Sequence, residues 1–232
     1  MTATRDVPTR APDAPPVEGW KRVRALLDLT FVDHGFIRAA YCNRHRVSEK
    51  LWRSAQPGPG HLRWAKRHGI RTILNLRGRR DTCGAYQMER DACAAQGLEL
   101  INFPCRSRGM PEKTTLHAAT TLFDQLRYPV LMHCKSGADR VGFFSALYLH
   151  VHEGAPITVA MRQLSLRYGH VKAAKTGMLD LFLERYAQDT GGQNPAAFLP
   201  WVEEVYDPAA FAADFHASRA GSFLVDRILR RE

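Results

Sequence analysis

Apolar positions first recur at helical spacing between Trp20 and Tyr41. There Val23, Leu27 and Phe31 mark one side of WKRVRALLDLTFVDHGFIRAAY, and Lys21, Arg22 and Arg24 cluster near its start. An interfacial membrane surface can receive such a stripe, but packing on its own domain is the expectation. Downstream the period changes. RTILNLRG (71–78) reads as a buried strand, with Ile73, Leu74 and Leu76 set between Gly69 and Gly78. Residues 85–96 pattern as a helix, LELINFP (98–104) as a second strand and 112–127 as a helix. YPVLMH (128–133) follows as a short apolar strand, and GFFSALYLHVHEG (142–154) as another helix, with more helices predicted near 156–167, 174–189 and 197–217. Strands alternating with helices predict an α/β fold, a mainly parallel central sheet flanked by helices. The boundaries expected are a flexible leader over 1–18, rich in Pro8, Pro12, Pro15 and Pro16, an amphipathic helical extension over 19–47, a core domain over 48–190 and a helical C-terminal tail over 191–232. Trp201, Phe211, Phe215 and Phe223 of the tail are expected to cover the domain.

Composition narrows the class. With 232 residues, 45% hydrophobic and 24% charged, the chain reads as a soluble globular protein able to bury a core without disulfide or metal staples. That excludes a disulfide mini-protein, a coiled coil, a collagen-like chain and a wholly disordered one. The net charge of +10 is uneven: residues 1–80 carry 17 basic and 6 acidic side chains, and the remainder is nearly balanced. A basic face favours a phosphorylated substrate, anionic lipid or nucleic acid. Nucleic acid ranks last, because no recognisable binding module accompanies the charge. Cys42, Cys83, Cys93, Cys105 and Cys134 are odd in number, form no Cys-x-x-Cys pair and match no zinc spacing. A reducing cytoplasm is the simplest setting. The first 16 residues lack the apolar core of a signal peptide, and no run approaches the roughly 18 apolar residues of a membrane span. The expectation is a cytoplasmic monomer, with peripheral membrane contact through the basic N-terminal helix left open.

The chemistry concentrates in one turn. After YPVLMH comes His133-Cys134-Lys135-Ser136-Gly137-Ala138-Asp139-Arg140, and a helix starts directly afterwards. Ligands of open α/β sheets bind at the carboxyl ends of strands, and a tight loop there turns backbone N–H groups into an anion nest at a helix N-terminus. Gly137 lets the loop wrap, and Gly142 is expected to let the helix approach the sheet closely. Arg140 supplies a planar fork suited to a tetrahedral oxyanion. Cys134 alone would read as an inert buried cysteine; beside these groups, in a positive site that favours a thiolate, it reads as a nucleophile. Nucleophile, oxyanion cradle and arginine clamp together describe phosphoryl transfer through a phosphocysteine.

His133-Cys134-x5-Arg140 resembles the signature loop of the protein-tyrosine phosphatase superfamily. LWRSAQPGPGHLRWAKRHGIRTILNLRG (51–78) is similar to the entry segment of bacterial and fungal dual-specificity-like phosphatases, where a strand, a turn carrying Ser, Gln and Pro, and a helix precede the first core strand. The likeness covers roughly 48–190 and makes that span the phosphatase domain. It implies a cysteine-dependent phosphatase with no metal and no cofactor, in which Cys134 attacks phosphorus and Arg140 with the loop positions Lys135, Ser136, Gly137 and Ala138 holds the phosphate. His133, otherwise a plain core histidine, is implied to orient the loop and favour the thiolate.

Two positions depart from the family pattern. Most relatives carry Ser or Thr after the loop arginine; Val141 stands here, which predicts slow breakdown of the phosphocysteine. The stretch 102–113, where the family places its general-acid Asp, holds none; Glu112 is its one carboxylate and equally suits a first helical turn. Asp139 is the better acid candidate, since some branches with Asp before the loop arginine are thought to use it, and a carboxylate beside a bound dianion suits that work. Bracing the loop is its other open role. Lys135, Arg106 and Arg108 are candidates to grip further phosphates of an inositol ring or the acidic flank of a phosphopeptide, surface charge being the plain alternative. Cys83 or Cys105 is a candidate redox partner for Cys134 on the same family logic. His150 and His152 do not share a helix face, which argues against a metal pair. QLSLRYGHVKAAKTG (163–177) adds positive charge but no mechanism. The substrate expected is a phosphorylated protein, with a phosphoinositide second. The competing readings are a phosphate-binding module with little turnover and a rhodanese-like sulfur transferase, the latter disfavoured by Arg140 and His133.

Overall fold

In the computed structural model, residues 8–12, 14–29, 42–106 and 109–216 are described. Their six strands form one sheet in the order β1 (Thr9–Arg10), β5 (Glu99–Asn102), β4 (Thr72–Asn75), β6 (Val130–His133), β3 (Leu51–Ser54) and β2 (His45–Arg46). The four central strands run parallel, and the two short edge strands pair antiparallel. The α/β expectation therefore holds, with a mainly parallel core.

The continuous apolar runs of β4 and β6 follow from burial on both faces. Side chains alternate between them: Leu74, Ile101 and Met132 enter one core cluster, and Ile73, Leu100 and Leu131 enter the other. The larger cluster is closed by α4 (Lys113–Gln125), α5 (Asp139–Leu147), α7 (Met178–Thr190) and α8 (Phe198–Glu204), with a short α6 (Ile157–Ala160) between. The smaller lies under α2 (Pro59–Arg67) and α3 (Gly84–Gln96). Trp201, Phe211 and Phe215 are buried and cover the domain as expected; Phe223 lies outside the described residues.

Three boundaries shift. Within the expected flexible leader, Thr9–Arg10 pairs with Ile101 and Asn102 as β1, and Val17 N donates to Asp91 Oδ2 at 2.7 Å. A two-residue edge strand is too short to show a period in sequence. Within the expected helical extension, α1 (Gly19–Leu27) is helical, but His45–Arg46 joins the sheet as β2. Phe31 and the rest of 30–41 lie outside the described residues. Finally, α5 begins at Asp139, inside the turn read as loop, and passes into a π-helical turn over Tyr148–His152.

Candidate active site

The turn between β6 and α5 sits at the carboxyl ends of the central strands, where Ser54, Asn75 and His133 stand in register. Cys134 is a free thiol, 2% exposed, and Lys135 and Ser136 face solvent. Gly137 has φ +75°, and a Cβ there would lie 2.6 Å from Ala55 N and 2.8 Å from Ser54 C. Only glycine passes that point. Gly142 also lacks room for a Cβ, but the near atom is Gln163 O at 2.7 Å. The helix therefore approaches the turn after α6 more closely than the sheet, which corrects the expected reason for that glycine.

Four successive loop carbonyls are held from outside. Gln56 N donates to Lys135 O at 3.3 Å, and Asn43 Nδ2 to Ser136 O at 3.0 Å. The fully buried Arg53 donates from Nη2 to Gly137 O at 2.7 Å and to Ala138 O at 3.1 Å. Its Nη1 reaches Gln163 O and Oε1, and its guanidinium lies 4.0 Å over the Tyr168 ring. Asn43 also donates to Tyr168 O at 2.9 Å. In a trans peptide, C=O and the following N–H point in opposite directions. Carbonyls 135–138 turned outward therefore set the N–H groups of 136–139 on the opposite side, the arrangement an anion nest requires, with Ala138 N donating to Ser136 Oγ at 3.4 Å. The unexplained segment 163–177 thus acquires a role, supplying Gln163 and Tyr168 to this brace.

Arg140 Nη1 donates to Leu76 O at 3.3 Å. Cys105 meets the same carbonyl, with its N at 3.4 Å and its Sγ at 3.6 Å. Behind the nucleophile, His133 Nε2 lies 2.5 Å from Glu89 Oε1, and neither side chain is exposed. The contact is close, although its approach angle is not that of a hydrogen bond. Glu89 Oε2 accepts from Gln56 Nε2 at 2.8 Å, and Gln56 Oε1 accepts from Arg77 Nη1 at 2.8 Å. Burial, and then the Glu89 charge, push the nearby Cys93 thiol well up, which suits an inert core cysteine. At the other end of the turn, Asp139 Oδ1 and Asp180 Oδ2 each lie 2.7 Å from a nitrogen of the buried His170. Burial alone would lower that imidazole, but bonds to Asp139 and Asp180 outweigh it and raise it to about 9.

The structure thus gathers His133, Cys134, Gly137, Ala138, Asp139 and Arg140 into one turn. Glu112 precedes α4 without a side-chain capping bond and lines a small cavity with Arg106, Cys105, Met110, Phe143 and Phe144. Arg106 is exposed, and Arg108 lies outside the described residues. Val141 is wholly buried. The sequence reading missed Asn43, Arg53, Gln56, Glu89, His170 and Asp180. For Glu89 a signal existed: Tyr86, Glu89 and Cys93 share the buried face of α3, and an acid on such a face needs a partner.

Comparison with known proteins bears on the same span. The family model described as a DSP-PTPase phosphatase fused to NAD+ kinase matches residues 19–178. The inositol diphosphatase DSP3 of Arabidopsis thaliana is 29% identical over 118 residues, 47% of this chain and 55% of that protein. The dual specificity protein phosphatase TpbA of Pseudomonas aeruginosa is 26% identical over 123 residues, 53% of each. The chain spans about half the length of these curated relatives. The crystal structure of P. aeruginosa TpbA aligns with a TM-score of 0.51 at 21% identity, covering 63% of this chain and 86% of that one, and the two share a fold.

Proposed function

The chain belongs to the DSP-PTPase phosphatase family, and on that premise we propose that it hydrolyses phosphomonoesters through a phosphocysteine at Cys134. The Cys134 thiolate attacks phosphorus, the ester P–O bond breaks, and the leaving oxygen takes a proton. Water then attacks the phosphocysteine, releasing inorganic phosphate and the thiolate. Arg140 and the N–H groups of 136–139 hold the non-bridging oxygens as charge develops. Asp139 and the imidazolium of His170 bonded to its Oδ1 are together the proton-donating pair of this reading. The observation that carries the proposal is the outward clamping of carbonyls 135–138 beside a buried cysteine, which supports an oxyanion cradle on the opposite face of the loop.

Phosphorylated proteins are the substrates proposed first, and an inositol phosphate second; the names of TpbA and DSP3 support one each. A second reading is a phosphate-binding module with little turnover. Val141, buried where a hydroxyl would assist breakdown, favours it. The test is phosphate release from p-nitrophenyl phosphate, without metal, by the wild type and Cys134→Ser across mildly acidic to mildly alkaline pH. Turnover that vanishes in the variant is expected. Vanadate binding with no turnover would replace the enzyme reading by the binding module.

A further inference from the structure

Eight large hydrophobic side chains stand exposed among the described residues, and four of them lie on the nine-residue α1. Trp20 is 80% exposed, Leu27 51% and Val23 41%. The one buried residue of α1 is Ala25. It meets α3 at Gly84, where a Cβ would come within 2.3 Å of Ala25 O. At about 100° per residue, Val23 and Leu27 sit about 160° around the helix from Ala25, and Trp20 about 140°. The apolar stripe therefore faces away from the domain, the reverse of an ordinary surface helix. This overturns the expectation that the stripe packs on its own domain. The helix is also fixed in that pose: Asp28 Oδ2 accepts from Gly84 N at 2.6 Å, Val17 N donates to Asp91 Oδ2, and Arg90 Nη2 reaches Pro15 O.

Charge identifies what the stripe meets. Arg24 lies about 40° beyond Trp20, Arg22 lies beyond Leu26 on the other side, about 60° from Ala25, and both are exposed, as is Lys21. Aliphatic stems of such residues lie along apolar surface while their heads reach outward to anions. Tryptophan favours the boundary between hydrocarbon and water. A one-sided apolar stripe flanked by arginines on a convex helix fits a flat anionic surface. No helix among the described residues is long and apolar enough to cross a membrane. We propose that α1 docks the protein on an anionic lipid surface, with Trp20, Val23 and Leu27 entering the headgroup boundary and Arg22 and Arg24 pairing with lipid phosphates and carboxylates.

The test is co-sedimentation of the full chain with phosphatidylcholine vesicles that contain or lack phosphatidylserine. Binding to the anionic vesicles, a blue-shifted tryptophan emission and release by salt are expected. Val23→Glu with Leu27→Glu abolishes sedimentation, and Trp20→Glu, at the most exposed position, weakens it. Arg22→Glu with Arg24→Glu lowers the partition coefficient on the order of 30-fold, at about 1 kcal/mol per lost basic contact. Thermal melts matching the wild type show that the variants fold. Three results overturn the proposal: no association with anionic vesicles, association that survives loss of Val23 and Leu27, or vesicle-free dimerisation that the same loss abolishes, which would seat a second copy on the stripe.

Discussion

Glu89→Ala tests how the loop is supported from behind. The substitution removes a fully buried carboxylate that faces His133 Nε2 with one oxygen and takes Gln56 Nε2 with the other. Removing it leaves the buried His133 ring without the oxygen that faces it, a cost of about 1–3 kcal/mol. The Gln56 amide also loses its acceptor, a further about 1–3 kcal/mol. Together these predict about 4 kcal/mol, a large part of a domain stability on the order of 5–15 kcal/mol. Urea denaturation at neutral pH measures it, and a double-mutant cycle with His133→Ala isolates the pair. A coupling of about 2 kcal/mol or more is expected, since the second deletion removes the group that the first one stranded. A Glu89→Ala cost below about 1 kcal/mol, or additivity in the cycle, would refute the reasoning.

Gly137→Ala should lower kcat/KM for p-nitrophenyl phosphate at least about tenfold, because the left-handed backbone costs an alanine about 1–2 kcal/mol and its Cβ meets fixed backbone atoms. Gly109→Ala, in open space, is the control, and equal behaviour of the two would contradict the geometry. His170 is raised from 6.5 to about 9 in the folded protein, so its contribution is complete below about pH 6.5 and is lost as pH rises through 9. Urea stability should fall over that window by at most about 3 kcal/mol, and His170→Gln should flatten the fall; parallel profiles would dismiss the pairing. Asp139→Asn should slow hydrolysis of phenyl phosphate far more than of p-nitrophenyl phosphate, whose leaving group scarcely needs a proton. Equal losses on both would remove Asp139 as the acid.

What sequence discloses here is what lies close along the chain. The strand YPVLMH, the turn after it and the next helix are contiguous, so apolar run, glycine and motif point the same way. Arg53 and His170 escape because their partners are remote: Arg53 meets Gly137 across 84 positions, and His170 meets Asp139 across 31. Each is an ordinary charged or titratable residue until the fold places a carbonyl or carboxylate against it. Arg53 did carry a local sign, a charge in the strand LWRS, just as Glu89 did on α3. The direction of the α1 stripe was not legible at all, because periodicity shows that a face exists and not which way it is turned.

Both borders of the sheet are supplied by residues that precede the expected phosphatase domain, β1 from Thr9–Arg10 and β2 from His45–Arg46. A fragment begun at residue 48 would keep the signature turn yet leave β5 and β3 with bare hydrogen-bonding rows. Such rows recruit other chains. The short segments that look dispensable in the sequence therefore act as selvedges, finishing the sheet so that the catalytic half cannot unravel into its neighbours.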